Sequence, residues 1–408
     1  MKTELHSHEN MAAEPFTNSV TTRVSVTLDD TTHRLRRIWQ QLLGIESVDL
    51  DQNYFDLGGD SILAVQLFAQ IEQVFKVKLP VATLFDAPTI KELARVLRRE
   101  SPSSGWSPLV AIQVAGSRPP FFCIHGAGGN VLIYRELALN LGSDQPFYGL
   151  QSPGLDGSCE ALTRVEDMAA LYVQEIRKVR PLGPYFLGGY CGGGTIAYEV
   201  AQQLRRDGQT VALLALFDSM NWSVFRPPTT LDKGYYNCQK FVFHAMNFLR
   251  LNRDGQSKFF MEKLQILRSR IPIWRAMLQA RLFANSETGR SESRILGEIW
   301  ANNDRACSQY VPKPYPGVVT DFRPLKQYRM FANPDATWER LAQGGQQIVT
   351  LPVYPAGMLV EPYVKHLADA LRMSIDRAMS GGQAAPSAGQ PVHREEIEVA
   401  SGVTKKEH

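Results

Sequence analysis

Cysteine is scarce. The five in 408 residues (Cys123, Cys159, Cys191, Cys238 and Cys307) are too few and too scattered for a disulfide framework, and none are spaced as a zinc-ligand pair. A reducing, cytoplasmic setting is expected. Net charge is also nearly absent. Lys and Arg number 44 against 41 Asp and Glu, a balance of +3 that excludes polyanion binding as the default role, so no nucleic-acid partner is expected. No apolar run approaches ~18 residues, so no membrane span is expected. The polar stretch from Met1 to Asn18 lacks the apolar core of an export signal. Histidine is limited to eight residues, and five of them (His6, His8, His33, His393, His408) fall in the ends or in the first folded segment. Apolar residues make up 44% and charged residues 21%, so most of the chain is expected to fold. At roughly 100–200 residues per domain, that length exceeds one compact core.

Several patterns divide the chain. Residues 1–30 are polar, without helical periodicity, and are expected to be a disordered leader. Over 31–100 the pattern is helical: Leu35, Ile38, Trp39 and Leu42 recur at helix spacing, as do Ile62, Val65, Phe68 and Ile71, then Ile90, Leu93 and Leu97 after Pro88-Thr89. With a short turn near Val81–Phe85, this predicts a small helical bundle. Ser101-Pro102-Ser103-Ser104-Gly105 opens a linker over 101–107. From 108 to 379, strand-like runs (Phe121–Ile124, Pro184–Gly188, Val211–Phe217, Val318–Phe322, Ile348–Val353) alternate with helical stretches (Asp167–Val179, Thr195–Arg206, Glu361–Met379). That alternation predicts a mainly parallel α/β sheet. A helical insertion over 232–310 interrupts it. Residues 380–408 are Gly-, Ala- and Pro-rich, then charged, and are expected to be disordered.

Two turns carry chemistry. Leu57-Gly58-Gly59-Asp60-Ser61 lies between helices, and alone it is only a capped helix after a loop. With Tyr54-Phe55-Asp56 before it, and Leu84-Phe85-Asp86-Ala87-Pro88-Thr89 beyond the next helix, residues 33–99 resemble the acyl and peptidyl carrier proteins of nonribosomal peptide and polyketide synthases. The resemblance implies a four-helix carrier bundle with a covalent 4′-phosphopantetheine on Ser61, attached from coenzyme A by a phosphopantetheinyl transferase.

The second turn is Gly189-Tyr190-Cys191-Gly192-Gly193, a G-x-S-x-G nucleophile elbow with cysteine in place of serine. A Gly-rich turn can also simply bury an inert thiol. The neighbours argue for catalysis. His125-Gly126-Ala127-Gly128-Gly129 follows an earlier strand, where oxyanion donors stand, with Ala127 and the Gly192 N–H as the candidate pair. Asp218 ends the strand after the elbow helix, a place for a triad acid, although an acid at a strand end can equally be a turn cap. Together with Tyr310–Gly317 and Trp338, these residues resemble the type I thioesterases that close synthase assembly lines. The resemblance implies an α/β-hydrolase fold whose helical lid is the 232–310 insertion. It also implies partners: upstream synthase modules or a stand-alone adenylation enzyme, and an acyl or peptidyl substrate.

One departure matters. The family's histidine follows the last strand, and here Pro355 stands in that position of Tyr354-Pro355-Ala356-Gly357. His125, His244 and His366 remain as relocated candidates, and none is assigned. Cysteine tolerates this loss better than serine, because a free thiol is already a few per cent thiolate at neutral pH. The helix N-terminus at Cys191 is expected to raise that fraction further. Two functions follow: a carrier–thioesterase didomain that moves a pantetheine-bound group onto Cys191 for release or transfer, or a degenerate thioesterase domain that acts as a scaffold for an acyl-displaying carrier. From Arg250 to Arg281 eight basic residues oppose Asp254 and Glu262. This stretch is either a docking surface for the carrier's Asp49, Asp51, Asp56 and Asp60 or a solvated helix face.

Overall fold

A computed structural model of the chain describes residues 28–59, 61–98, 106–155, 159–224, 289–324, 337–353, 357–381 and 394–398, with a few more between 230 and 242. Four helices form the first unit: α1 (Leu28–Leu43), α2 (Ser61–Phe75), α3 (Thr83–Asp86) and α4 (Ile90–Arg98). The periodic apolar residues turn inward, with Leu35, Trp39, Leu67, Ile71, Leu84, Ile90 and Leu93 all fully buried. Trp39 meets the edge of Tyr54 at 5.3 Å between ring centroids. A reciprocal capping box starts α4: Thr89 Oγ1 accepts from the Glu92 N–H at 3.2 Å, and Glu92 Oε2 accepts from the Thr89 N–H at 3.2 Å.

The second unit is built on a sheet of order β1-β3-β2-β4-β5-β6-β7-β8. Its strands are β1 (Leu109–Gln113), β2 (Phe121–Ile124), β3 (Phe147–Leu150), β4 (Tyr185–Tyr190), β5 (Val211–Phe217), β6 (Val319–Pro324), β7 (Gln346–Leu351) and β8 (Arg394–Glu398). β1 runs antiparallel to β3, and every other pairing is parallel. The apolar runs of β2, β4 and β5 reflect burial on two faces. On one face lie α6 (Val165–Val179) and α7 (Gly192–Arg206), whose core includes Tyr172, Ile196 and Leu204. On the other lie α5 (Arg135–Leu141) and α9 (Val364–Met379), whose core includes Leu137, Leu367 and Leu371. α8 (Gly289–Gln309) precedes β6. Among the described residues no helix is long and apolar enough to cross a membrane.

Three elements were not expected from the sequence. β1 and β3 are short and carry the weak pattern of a strand pair at one side of the sheet; Gly149 interrupts β3, where a Cβ would strike Val131 at 2.7 Å. β8 falls inside the stretch expected to be disordered. Its sequence, Arg-Glu-Glu-Ile-Glu, has no apolar signal, and it is held by the backbone ladder to β7. Of the 232–310 insertion, the description covers α8 and a few residues up to 242; His244 and the basic stretch 250–281 lie outside the described residues, as does Pro355.

Candidate active site

The turn before α2 is shaped by its glycines. Gly58 has φ +88, and a Cβ on Gly59 would stand 2.4 Å from the Tyr54 ring. The Gly59 N–H bonds the Tyr54 carbonyl at 3.0 Å, which closes the turn and delivers Ser61 as the first residue of the 15-residue α2. The first turn of α2 carries no acidic side chain. A phosphodiester on Ser61 would stand at the N-terminus of α2, at the positive end of its dipole, so the residues present fit a phosphopantetheine group there.

The second turn lies at the C-terminal edge of the sheet. Cys191 joins β4 to α7 at φ +55, a region side chains other than glycine rarely adopt. Its strain is held by three bonds. The Cys191 N–H donates to the Phe217 carbonyl (2.9 Å), and its own carbonyl accepts from the Gly194 N–H (3.1 Å) and from Ser219 Oγ (2.8 Å). The glycines let the elbow press against the neighbouring strand. A Cβ on Gly193 would lie 2.2 Å from the His125 carbonyl oxygen. Asp218 ends β5 beside the elbow, also at positive φ (+44), with its N–H on the Phe322 carbonyl at 2.9 Å.

Ala127 sits in the loop after β2, and its carbonyl accepts from Asn303 Nδ2 at 2.9 Å. Asn303 belongs to α8, which lies along this loop and the elbow. Ile299 and Trp300 border Gly129 and Gly128, and Cys307 Sγ meets the Gly192 carbonyl at 3.5 Å. The structure thus brings Cys191, Gly192, Asp218 and Ala127 to one end of the sheet, and it adds α8.

The electrostatics run against the expected thiolate. Burial first, then the Asp218 and Asp304 carboxylates, pushes the Cys191 thiol up to about 12, against a lowering hydrogen bond from the Gly192 N–H. The helix N-terminus is worth ~0.3–1 kcal/mol, less than one pKa unit, and here it loses to desolvation and two like charges. Asp218 is itself pushed up to about 7, first by burial and then by the buried Asp321, with Arg323 opposing. Asp321 is held by Arg323 Nη2 at 2.7 Å and by Gln346 Nε2 at 2.9 Å.

The relocated histidines do not complete a triad among the described residues. His125 is fully buried, with Nδ1 at 2.7 Å from the Gly126 carbonyl and Nε2 at 2.8 Å from the Tyr172 hydroxyl. Burial lowers its pKa to about 4, so it is a neutral ring that braces the loop. His366 lies half-buried on α9. The two described candidates, His125 and His366, make no hydrogen bond to Cys191 or Asp218: the His125 ring nitrogens are engaged by the Gly126 carbonyl and the Tyr172 hydroxyl. Asp304, Asn303 and Cys307 were not expected at the site. Their signal was present in the sequence as helix spacing, Trp300, Asn303-Asp304 and Cys307 standing three to four residues apart on one face.

Comparison with known proteins bears on both units. A phosphopantetheine attachment site model matches residues 33–97, and a thioesterase domain model matches residues 119–281. A dimodular nonribosomal peptide synthase of Bacillus subtilis is 40% identical over 182 residues, 45% of this chain and 8% of that protein. Malpinin synthetase of Mortierella alpina is 35% identical over 266 residues, 64% of this chain and 3% of that protein. The chain therefore spans less than a tenth of the length of these two relatives. A crystal structure of a four-domain nonribosomal peptide synthetase, in holo form with AMP and glycine, shares the fold. It aligns with a TM-score of 0.52 at 24% identity, over 91% of this chain and 27% of that one.

Proposed function

We propose that this chain, which matches a phosphopantetheine attachment site over residues 33–97 and a thioesterase domain over residues 119–281, holds an acyl, aminoacyl or peptidyl group at Ser61 and moves it to Cys191 within a nonribosomal peptide or polyketide pathway. The proposed boundaries are 31–100 for the carrier and 108–379 for the thioesterase domain, with 232–310 as its helical lid. The proposed partners are a phosphopantetheinyl transferase and upstream synthase modules or a stand-alone adenylation enzyme. The observation that carries the reading is the elbow itself. Cys191 is kept at φ +55 at the end of β4, with the Gly192 N–H directed at its sulfur and the Ala127 loop alongside.

When bound, 4′-phosphopantetheine supplies a flexible arm ending in a thiol that holds the acyl chain as a thioester. Cys191 would be the nucleophile toward the carbonyl carbon of the thioester that the arm would present, and the proton of its thiol would leave with the arm's thiol. The N–H groups of Gly192 and Ala127 receive the negative charge that develops on the carbonyl oxygen. One thioester is exchanged for another, so little driving force is needed. With a thiol pKa of about 12, the thiolate fraction at pH 7 is on the order of 10⁻⁵. Holding two reactants in register is worth effective molarities of about 10⁵–10⁸ M, which is enough to offset that deficit for a tethered donor but not for dilute reagents. Water gains no such advantage, and no described residue is placed to deprotonate it. Transfer to an amine or thiol acceptor is therefore favoured over hydrolysis.

The same raised thiol favours a second reading, a quiet thioesterase domain that shelters the acyl group of its carrier as a scaffold. Loading Ser61 from an acyl-coenzyme A separates the two. Transfer predicts a hydroxylamine-labile acyl mass on the Cys191 peptide, absent in Cys191→Ala. A scaffold leaves the whole acyl mass on the Ser61 peptide in both chains.

A further inference from the structure

We infer that the ledge formed by the 3-10 turn Leu132–Tyr134 and α5 is the surface on which the carrier docks, with its Ser61 end toward the rim of the Cys191 cleft and with Arg135 as the positioning residue. The inference rests on the carrier–thioesterase reading above. Two sets of contacts support it. On the thioesterase side, the ledge is tied to the elbow. Tyr134 donates its hydroxyl to the Ile124 carbonyl at the end of β2 (2.5 Å) and accepts the Tyr190 N–H (3.2 Å), one residue before Cys191. On the carrier side, the contact is made by Phe55 and Asp56, a few residues before Ser61.

The Arg135 guanidinium lies 4.3 Å from the centroid of the Phe55 ring, and its Nη2 stands 3.9 Å from Asp56 Oδ1. Leu132, only 5% exposed, is packed into the carrier's own core, and Phe85 touches the cores of both units. The ion pair is loose and Asp56 is 75% exposed, so it sets orientation more than strength. The ring–guanidinium contact and the buried leucine hold the carrier. Asp51 is engaged elsewhere, with Lys91 at 2.8 Å inside the carrier. Asp56 thus has a cation on the ledge, while the basic stretch 250–281 lies outside the described residues.

The test uses the full chain in its holo form. Hydrogen exchange of residues 50–58 and 130–137 reads docking without chemistry. Capture of Cys191 by a bromoacetyl group carried on the Ser61 arm reads delivery, and free iodoacetamide reports the thiol itself. Arg135→Glu is expected to speed exchange in both segments and to slow arm capture, each by about three- to tenfold, as loss of a cation–π contact plus a new repulsion dictates. The iodoacetamide rate should not change. The swap Asp56→Arg with Arg135→Glu removes the repulsion but does not bring back the cation–π contact, so it should restore both readouts part of the way, to values between Arg135→Glu and the unmodified chain. Unchanged exchange in Arg135→Glu, faster exchange with undiminished arm capture, or failure of the swap to restore would each overturn the inference. If exchange responds and is partly restored but no chain, including the unmodified one, captures the arm while iodoacetamide still labels Cys191, docking stands and the transfer reading falls.

Discussion

Asp218→Asn separates a brake from a triad acid. The substitution keeps the shape and removes a carboxylate that raises the Cys191 pKa. Neighbouring strands lie about 4.8 Å apart, and Cys191 and Asp218 follow the paired ends of β4 and β5, Tyr190 opposite Phe217. Two unit charges roughly 7 Å apart interact by about 2.4 kcal/mol at an effective dielectric near 20, close to 1.7 pKa units. Asp218 titrates near pH 7, so its charge is fully present only above that pH. At pH 9 the variant should react with iodoacetamide about ten- to fiftyfold faster than the unmodified chain, and at pH 5 the two should differ by less than about threefold. In Asp218→Asn the rate should climb about tenfold per pH unit up to about pH 9, and in the unmodified chain the climb should flatten around pH 7 as Asp218 ionises and then resume. The assay is Cys191 occupancy by peptide mass against time. Slower labelling of Asp218→Asn at pH 9 would refute the reasoning, because it would show Asp218 orienting an imidazole that activates the thiol.

Other outcomes follow from the same geometry. Ser61→Ala should gain no pantetheine mass from coenzyme A and a broad-specificity transferase, where the unmodified chain gains one. The folded-state pKa of Asp218 lies above its ordinary value, so its proton stabilises the fold at low pH and that stability is lost as pH rises from about 4 through 7. Urea titration should find Asp218→Asn more stable than the unmodified chain at pH 8, by about 2–4 kcal/mol at most, and equal to it near pH 4. Asn303→Ala removes the amide that holds the Ala127 carbonyl; it should cost about 1–3 kcal/mol in thermal or urea unfolding and slow acyl capture without changing the iodoacetamide rate. Gly193→Ala places a methyl 2.2 Å from the His125 carbonyl and should distort the elbow enough to abolish capture while far-ultraviolet circular dichroism still shows the α/β signal.

Much of this was legible in the sequence where a residue's chemistry is local. Phe121–Ile124 and Val211–Phe217 coincide with β2 and β5, because strands buried on both faces need continuous apolar runs. The Gly-Gly-Asp-Ser and Gly-Tyr-Cys-Gly-Gly turns were readable because only glycine fits positions such as 59 and 193, where a side chain would strike Tyr54 or the His125 carbonyl. β8 was not readable, since an edge strand held by its ladder to β7 needs no apolar code. The thiol was misjudged for a related reason. The helix N-terminus is visible in the chain, but the burial of Cys191 and the approach of Asp218 and Asp304 come from β5 and α8, far away in sequence. The partner of Asp56 was likewise hidden: Arg135 is one cation in an unremarked helix until α5 packs beside the carrier.

The most direct measurement is the position of the acyl group over time. The holo chain is loaded at Ser61 from a short acyl-coenzyme A, quenched in acid at intervals, and its peptides are weighed. The account predicts that acyl mass leaves the Ser61 peptide and appears on the Cys191 peptide faster than free acid is released, and that an added amine or thiol acceptor discharges Cys191 faster than water. Acyl mass that stays on Ser61 while Cys191 remains bare, or free acid released as fast as Ser61 is discharged with no acyl on Cys191, would contradict it.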